Sequence, residues 1–211
     1  MIRVALLDDH PIVHTALEGL SFMSGGRVGT VLHGTTSKDF MAAMDGVAVD
    51  VAIVDLLLGD RLDGPGVVAA LALRKIPSLL YTAESRPVPV RRAMAAGARG
   101  LVLKSDPVDE LVAAVEAVAA GGEVVGSEVA HALVEDPTLV PHLSPREVQV
   151  LQLLHAGVPR KAVGRMLEPP ASDASVATYL RRALAKYRQL RPVPGVAEML
   201  RQAYGDGWFT D

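Results

Sequence analysis

Five side chains of this chain can do chemistry together if the backbone brings them to one place: Asp8, Asp9, Asp55, Thr82 and Lys104. Clustered carboxylates repel one another, so keeping all three aspartates ionised calls for a cation among them. A donor set made only of oxygen, with positions left open, favours Mg2+ over softer metals. In such a set Asp9 and Asp55 bind directly and Asp8 acts through water, while a loop carbonyl, that of Leu57, completes the shell. With its charge neutralised, Asp55 becomes a carboxylate nucleophile toward a phosphoryl group. Lys104 then supplies a point charge for the transferred phosphate, and Thr82 a hydroxyl donor. Taken singly, each residue has an ordinary explanation. An Asp at a strand end caps a turn, a Lys there faces water, and a Thr suits a strand.

The elements that must position these residues are legible around them. Asp50–Leu58 places Val51-Ala52-Ile53-Val54 before Asp55 and three leucines after it, a short strand buried on both faces. Val4–Leu7 is a second apolar strand, ending at Asp8-Asp9, and Pro11 suits the first turn of a following helix. Ile12, Ala16, Leu20 and Met23 recur along that helix as its expected buried face. Arg27–Gly34 reads as a strand, with Ser37 as the cap of a helix running to about Met44. Val67–Arg74 is helical, Ser78–Thr82 a strand, Val88–Ala96 a helix stopped by Gly97, and Gly100–Leu103 a strand ending at Lys104. Pro107–Ala120 has apolar residues at 108, 111, 112, 115 and 118, an amphipathic helix. Five strands alternating with five helices predict an α/β fold, a doubly wound, flavodoxin-like parallel sheet covered on both faces. In such a sheet ligands bind beyond the carboxyl ends of the strands, and all five residues fall at that edge.

Composition narrows the rest. The chain of 211 residues is 50% apolar but only 4% aromatic, so Val, Leu and Ala must fill its core. With no cysteine, disulfides and Cys-ligated metal sites are excluded. No apolar run approaches the roughly 18 residues that suggest a membrane span. The start is too short and too soon acidic for a signal peptide, and a soluble, cytoplasmic protein is expected. The net charge of −3 is unevenly spread. Residues 1–121 carry 11 Lys/Arg against 14 Asp/Glu, residues 122–140 add four acids and no base, and residues 141–211 carry 10 against 6. An acidic front and a basic tail suggest two domains with different partners.

The front half resembles the receiver domain of two-component response regulators. Asp8-Asp9, Asp55, Thr82-Ala83 and Lys104 carry the likeness, with Asp9-His10-Pro11 and Gly97-Ala98-Arg99-Gly100 as further matches over about residues 2–121. The resemblance implies that a partner histidine kinase passes a phosphoryl group to Asp55 with Mg2+ present. It further implies that Thr82 then moves toward the phosphate and reshapes the surface around the neighbouring helix, strand and last helix. Two positions depart from the pattern. Leu101 stands where Tyr or Phe is common, and the loop Leu58–Gly64 lacks the common Met-Pro and is one residue longer.

After the receiver, Gly121-Gly122 closes the last helix, and residues 122–140 read as a linker with a short helix over Glu128–Val134. Residues 141–211 then form a small all-α domain. Ser144-Pro145-Arg146-Glu147 is a helix start with Ser as N-cap, Pro at N1 and Glu closing a capping box. Arg160–Leu167 gives a second helix and Ser172–Gln189 a third, with Val176, Leu180, Ala183, Leu184 and Tyr187 inward and Arg181, Arg182, Lys186 and Arg188 largely outward. This order makes a helix-turn-helix candidate. Leu143–Leu151 resembles the opening of the LuxR-type DNA-binding domain, Val176–Leu180 its recognition helix, and Gly195–Tyr204 its fourth helix, often a dimer surface. A receiver followed by this module is the NarL/LuxR-type transcriptional regulator, a homodimer on double-stranded DNA. There Arg181, Arg182 and Lys186 would hold phosphates and Thr178 would touch a base edge. Ala177 and Tyr179 replace the family's usual Lys and His, and the preceding turn contains Pro169-Pro170.

Two other readings stay open at this level. The receiver could serve a phospho-independent regulator as a scaffold, or the diverged second domain could bind a protein or only dimerise. An enzyme fits least, because an Asp-nucleophile phosphatase wants a second carboxylate two residues on, where Leu57 stands.

Overall fold

Apolar strands and amphipathic helices alternate along the first part of the chain as the sequence predicts, in a computed structural model that describes residues 1–58 and 64–209. The strands are β1 (Ile2–Leu7), β2 (Val28–Gly34), β3 (Val51–Val54), β4 (Ser78–Thr82), β5 (Gly100–Leu103) and β6 (Val124–Val125). They form one parallel sheet in the order β2-β1-β3-β4-β5-β6. Helices α1 (Pro11–Glu18), α2 (Leu20–Met23), α3 (Ser37–Ala43), α4 (Gly64–Leu73), α5 (Pro87–Ala95) and α6 (Val108–Ala119) connect the strands, and α7 (Glu128–Glu135) follows β6. The loop at residues 59–63, expected to be one residue longer than usual, lies outside the described residues.

All four residues of β3 are fully buried, which is why this strand reads as an unbroken apolar run rather than an alternating one. Val4, Leu6, Ile53, Leu79 and Val102 from the strands pack with Leu111, Val115 and Val118 of α6 in the main core. Two expectations about the first helix are corrected. The helix is broken at Gly19 into α1 and α2, and Ile12 and Met23 face solvent at 78% and 47% exposure. Val13, one position on from Ile12, packs against the core, so the inward stripe of α1 is rotated from the apolar spacing. The cap of α3 is Thr36 rather than Ser37: its hydroxyl accepts from Asp39 N at 3.2 Å.

The segment after α6 carries more structure than a linker. Val124 N–H donates to Arg99 O at 3.0 Å and Gly126 N–H to Leu101 O at 2.9 Å, which adds β6 to the outer side of β5. Ala130 and Leu133 of α7 are buried, and Arg91 Nε donates to Leu133 O at 2.8 Å. Two residues give no periodic signal, so a strand this short is invisible to pattern reading.

The chain divides into two compact units, Met1–Ser85 with Pro89–Glu135, and Arg86–Val88 with Asp136–Asp211. The second is built from α8 (Pro145–His155), α9 (Arg160–Met166), α10 (Asp173–Leu190) and α11 (Val196–Gly205) around Leu151, Val163, Val176, Tyr187, Met199 and Phe209. The capping box at Ser144 and Glu147 is formed in both directions. Pro169-Pro170 fall between α9 and α10, where the missing amide hydrogens break no helix. Gly164 is required there. A Cβ on it would lie 2.3 Å from Ala171 O, where the turn folds back and Ala171 N–H donates to Gly164 O. Among the described residues, no helix is long and apolar enough to cross a membrane.

Candidate functional site: an acidic pocket at the sheet edge

The strand order reverses between β1 and β3, and a parallel sheet opens a crevice at such a point. Asp8 and Asp9 follow β1, Asp55 follows β3, Thr82 ends β4 and Lys104 follows β5, so four adjacent strands deliver their terminal residues to one edge. The backbone ladder runs right up to them: Asp55 N–H donates to Leu7 O at 2.9 Å and Lys104 N–H to Thr82 O at 2.9 Å.

Asp55 is the hub. Its side chain is 1% exposed, and Lys104, Thr82 and Leu57 hold it from this edge. Lys104 Nζ lies 2.5 Å from Asp55 Oδ2 and 2.7 Å from Asp8 Oδ2. Thr82 Oγ1 donates to Asp55 Oδ1 at 2.6 Å and accepts from Glu84 N–H at 3.1 Å, which directs the hydroxyl proton at the carboxylate. Leu57 N–H donates to the same Oδ1 at 3.0 Å. Burial pulls the Lys104 pKa down, but hydrogen bonds and attraction from Asp55 and Asp8 outweigh it, and the ammonium is held above its ordinary value. The turn beyond Lys104 is fixed by Asp106 Oδ2, which accepts from Leu103 N–H at 2.8 Å.

Among the described residues, three carboxylates against one ammonium leave the pocket short of positive charge. Asp8 Oδ2 is buried and has that ammonium as an ionic partner without a well-aligned hydrogen bond. Oxygens of Asp8, Asp9 and Asp55, together with a ring nitrogen of His10, lie within 4.8 Å of one another, a group able to hold a metal ion. His10 follows the acidic pair directly in the chain. It is exposed, yet its Nδ1 lies 3.2 Å from Asp8 Oδ1 and 3.0 Å from Asp9 Oδ1. His14 is a second residue the sequence did not reveal. Its Nε2 donates to Asp8 O at 2.5 Å, and its ring stands edge-on to His33. The sequence signal for His10 is its place next to Asp9, whereas His14, inside α1, carries none.

The response regulator receiver domain is the family whose model matches this chain, over residues 4–116. The chain belongs to the response regulators. Relatives of this response regulator include the transcriptional regulatory protein UhpA of Escherichia coli (strain K12), 31% identical over 170 residues and covering 79% of this chain and 83% of that protein. The probable transcriptional regulatory protein NarL of Mycobacterium tuberculosis (strain ATCC 25618 / H37Rv) is 29% identical over 210 residues, covering 95% and 94%. Solved structures that resemble nearly the whole chain include ChrA and RcsB. The response regulator ChrA of a heme-sensing two-component system has a TM-score of 0.54 at 27% identity, covering 99% of this chain and 98% of that one. RcsB from Salmonella enterica serovar Typhimurium, solved on promoter P1flhDC with the phosphomimetic BeF3-, has a TM-score of 0.69 at 22% identity, covering 95% and 96%, a likeness of fold.

The second unit of this response regulator carries the other candidate residues on α10. Ser172 caps the helix, its hydroxyl accepting from Ser175 N–H at 3.2 Å. Val176, Leu180, Ala183 and Tyr187 are buried, and Arg181 and Arg182 are exposed. Thr178 and Arg182 line a shallow surface depression with Ala174, Ser175 and Tyr179. The Thr178 hydroxyl donates to Ala174 O at 3.0 Å, one turn back. Lys186 is placed differently from the other two cations. Its Nζ lies 2.6 Å from Glu147 Oε2, whose side chain is 3% exposed, so the ammonium expected on a phosphate is engaged inside the unit.

Proposed function

We propose that this response regulator takes a phosphoryl group on Asp55 from a histidine kinase, with Mg2+ in the acidic pocket, and acts in the cytoplasm as a homodimeric DNA-binding transcriptional regulator. The observation that carries the reading is the buried Asp55 carboxylate, held on one oxygen by Thr82 and Leu57 N–H and on the other by Lys104. In the transfer, an Asp55 oxygen attacks phosphorus, the bond to the donor's imidazole nitrogen breaks, and an acyl phosphate forms. Asp8, Asp9, Asp55 and the Leu57 carbonyl would hold the metal, which neutralises the carboxylates and the incoming phosphoryl oxygens. Lys104 offers its ammonium to the transferred group, and the Thr82 hydroxyl, already aimed at the Asp55 carboxylate, donates to a phosphate oxygen. The group is stored rather than turned over, so the pocket works as a switch and not as an enzyme.

In the second unit, Arg181 and Arg182 are free of the core and suited to phosphates of a duplex, and Thr178 to a base edge. The intact mass after incubation with Mg2+ and acetyl phosphate tests the first half of the reading, with Asp55→Asn as control. A gain of one phosphoryl group, absent from the control, is expected. Duplex binding that weakens steeply with salt and depends on Arg181 and Arg182 tests the second half. Binding indifferent to both arginines would return the second unit to a dimerisation or protein-binding role.

A further inference from the structure

We propose that His10 is a direct donor to the divalent ion of the acidic pocket and that it biases this site toward metals that accept nitrogen, such as Co2+ and Ni2+. The inference rests on the reading of the pocket as a metal site and concerns which ions it selects. Four observations carry it. The His10 ring nitrogen belongs to the same group of ligand atoms, within 4.8 Å, as the three carboxylates. It is Nδ1 that turns inward, 3.0 Å from Asp9 Oδ1 and 3.2 Å from Asp8 Oδ1. The position is set by the backbone: His10 N–H donates to Asp8 Oδ1 at 2.9 Å, and Pro11 begins α1 immediately after. Finally, the histidine stands on the open side. Its side chain is 59% exposed against 30% for Asp9 and none for Asp8, while Lys104 closes the inner side against Asp8 and Asp55.

Against the Asp8 and Asp9 carboxylates, which only accept, His10 Nδ1 carries the ring hydrogen, and a metal held by those carboxylates displaces that proton to Nε2 and takes the Nδ1 lone pair. Mg2+ dehydrates reluctantly and prefers oxygen, so it gains little from the exchange of a water for His10. Affinity for nitrogen donors rises through the later first-row ions, so Co2+ and Ni2+ gain most. His14 stands apart: its Nε2 faces the Asp8 backbone carbonyl, and among the described residues it does not belong to the group of ligand atoms that His10 joins.

The test is calorimetric titration of the untagged full chain with Mg2+ and with Co2+, together with the visible absorption of the Co2+ complex, for the native chain, His10→Ala, His14→Ala and Asp9→Asn. In His10→Ala the preference for Co2+ over Mg2+ should fall about tenfold, the scale on which ligand shells tune affinity, with Mg2+ affinity little changed and the absorption band shifted. His14→Ala should leave both preference and spectrum alone. An unchanged preference and spectrum in His10→Ala, with Asp9→Asn still abolishing binding, overturns the proposal and leaves the metal pocket standing. Co2+ and Mg2+ binding that survives Asp9→Asn, or no binding by the native chain, overturns the metal pocket itself and the proposal with it.

Discussion

Lys186 lies 2.6 Å from Glu147 and so ties the basic helix α10 to the capping box that starts α8. Burial would raise the Glu147 pKa, but Lys186 and the Ser144 amide outweigh it and hold the carboxyl below the usual range. Lys186→Met leaves that buried carboxylate without its cation. It is expected to lower the stability of the second unit by about 1–3 kcal/mol, less than a fully buried pair because the lysine is partly exposed. Arg181→Ala and Arg182→Ala should leave the thermal midpoint alone and instead weaken duplex binding and flatten its salt dependence, each by about one phosphate contact. Thermal melts beside binding isotherms at two salt concentrations separate the two classes.

The pocket makes a comparable prediction about charge. Among the described residues Lys104 is the lysine placed against Asp55 and Asp8, and Lys104→Met takes its charge away from carboxylates that are 1% and 0% exposed. The variant should melt lower in a chelator and recover with Mg2+ far more than the native chain does, because the ion takes over the missing charge. Recovery equal to that of the native chain would mean that Lys104 is not what balances the aspartates.

At high pH the same lysine has a second consequence. Its folded pKa is raised, so the ion pair's contribution to stability is complete below lysine's ordinary value of about 10.4 and is lost as pH rises through the folded value. Alkaline melts of the native chain should therefore show a loss of stability beginning above that value, and Lys104→Met should lack that component.

Arg3 and Asp50 form a part-exposed pair at the opposite end of β1, with Arg3 Nη2 2.6 Å from Asp50 Oδ1. Hydrogen bonds from the Arg3 side chain and amide pull the Asp50 pKa down to about 2. Because the folded value is depressed, the pair's contribution is present above an unfolded value of about 3.9 and is lost as pH falls from there through the folded value. Carboxyl chemical shifts followed with pH should place the Asp50 midpoint near 2, and Arg3→Ala should return it toward the ordinary value.

Gly164 offers a packing test with no charge in it. Gly164→Ala puts a methyl 2.3 Å from Ala171 O, and the turn between α9 and α10 must move to admit it. A loss of about 1–3 kcal/mol is expected, typical of overpacking. Gly157, where nothing lies within 4 Å of a Cβ but φ is +78°, should suffer from backbone strain alone.

Much of the pocket is legible in the sequence because a parallel sheet makes it so. Once β1, β3, β4 and β5 are recognised, their terminal residues must share an edge, and Asp8, Asp55, Thr82 and Lys104 follow without any knowledge of rotamers. What stayed hidden depends on side-chain direction or long-range crossing. The Lys186–Glu147 pair spans 39 positions and exists only because α10 packs across the start of α8. His10 shows as a neighbour of Asp9 in the sequence, but which ring nitrogen turns inward does not. Spacing points to Ile12 as a core residue, whereas the stripe that packs inward runs through Val13. The sixth strand escaped because Val124-Val125 is shorter than any period.

That sixth strand decides where the chain can be cut. The family match ends at residue 116, and Gly121 looks like a natural terminus for a free-standing first half. A fragment ending there would bare the carbonyls of Arg99 and Leu101, which now accept from Val124 and Gly126, and would leave a fully buried apolar strand with an open flank. Such a flank recruits strands from other molecules. Fragments ending at Gly121 should self-associate on concentration, whereas fragments carried through Glu135 keep the flank sealed.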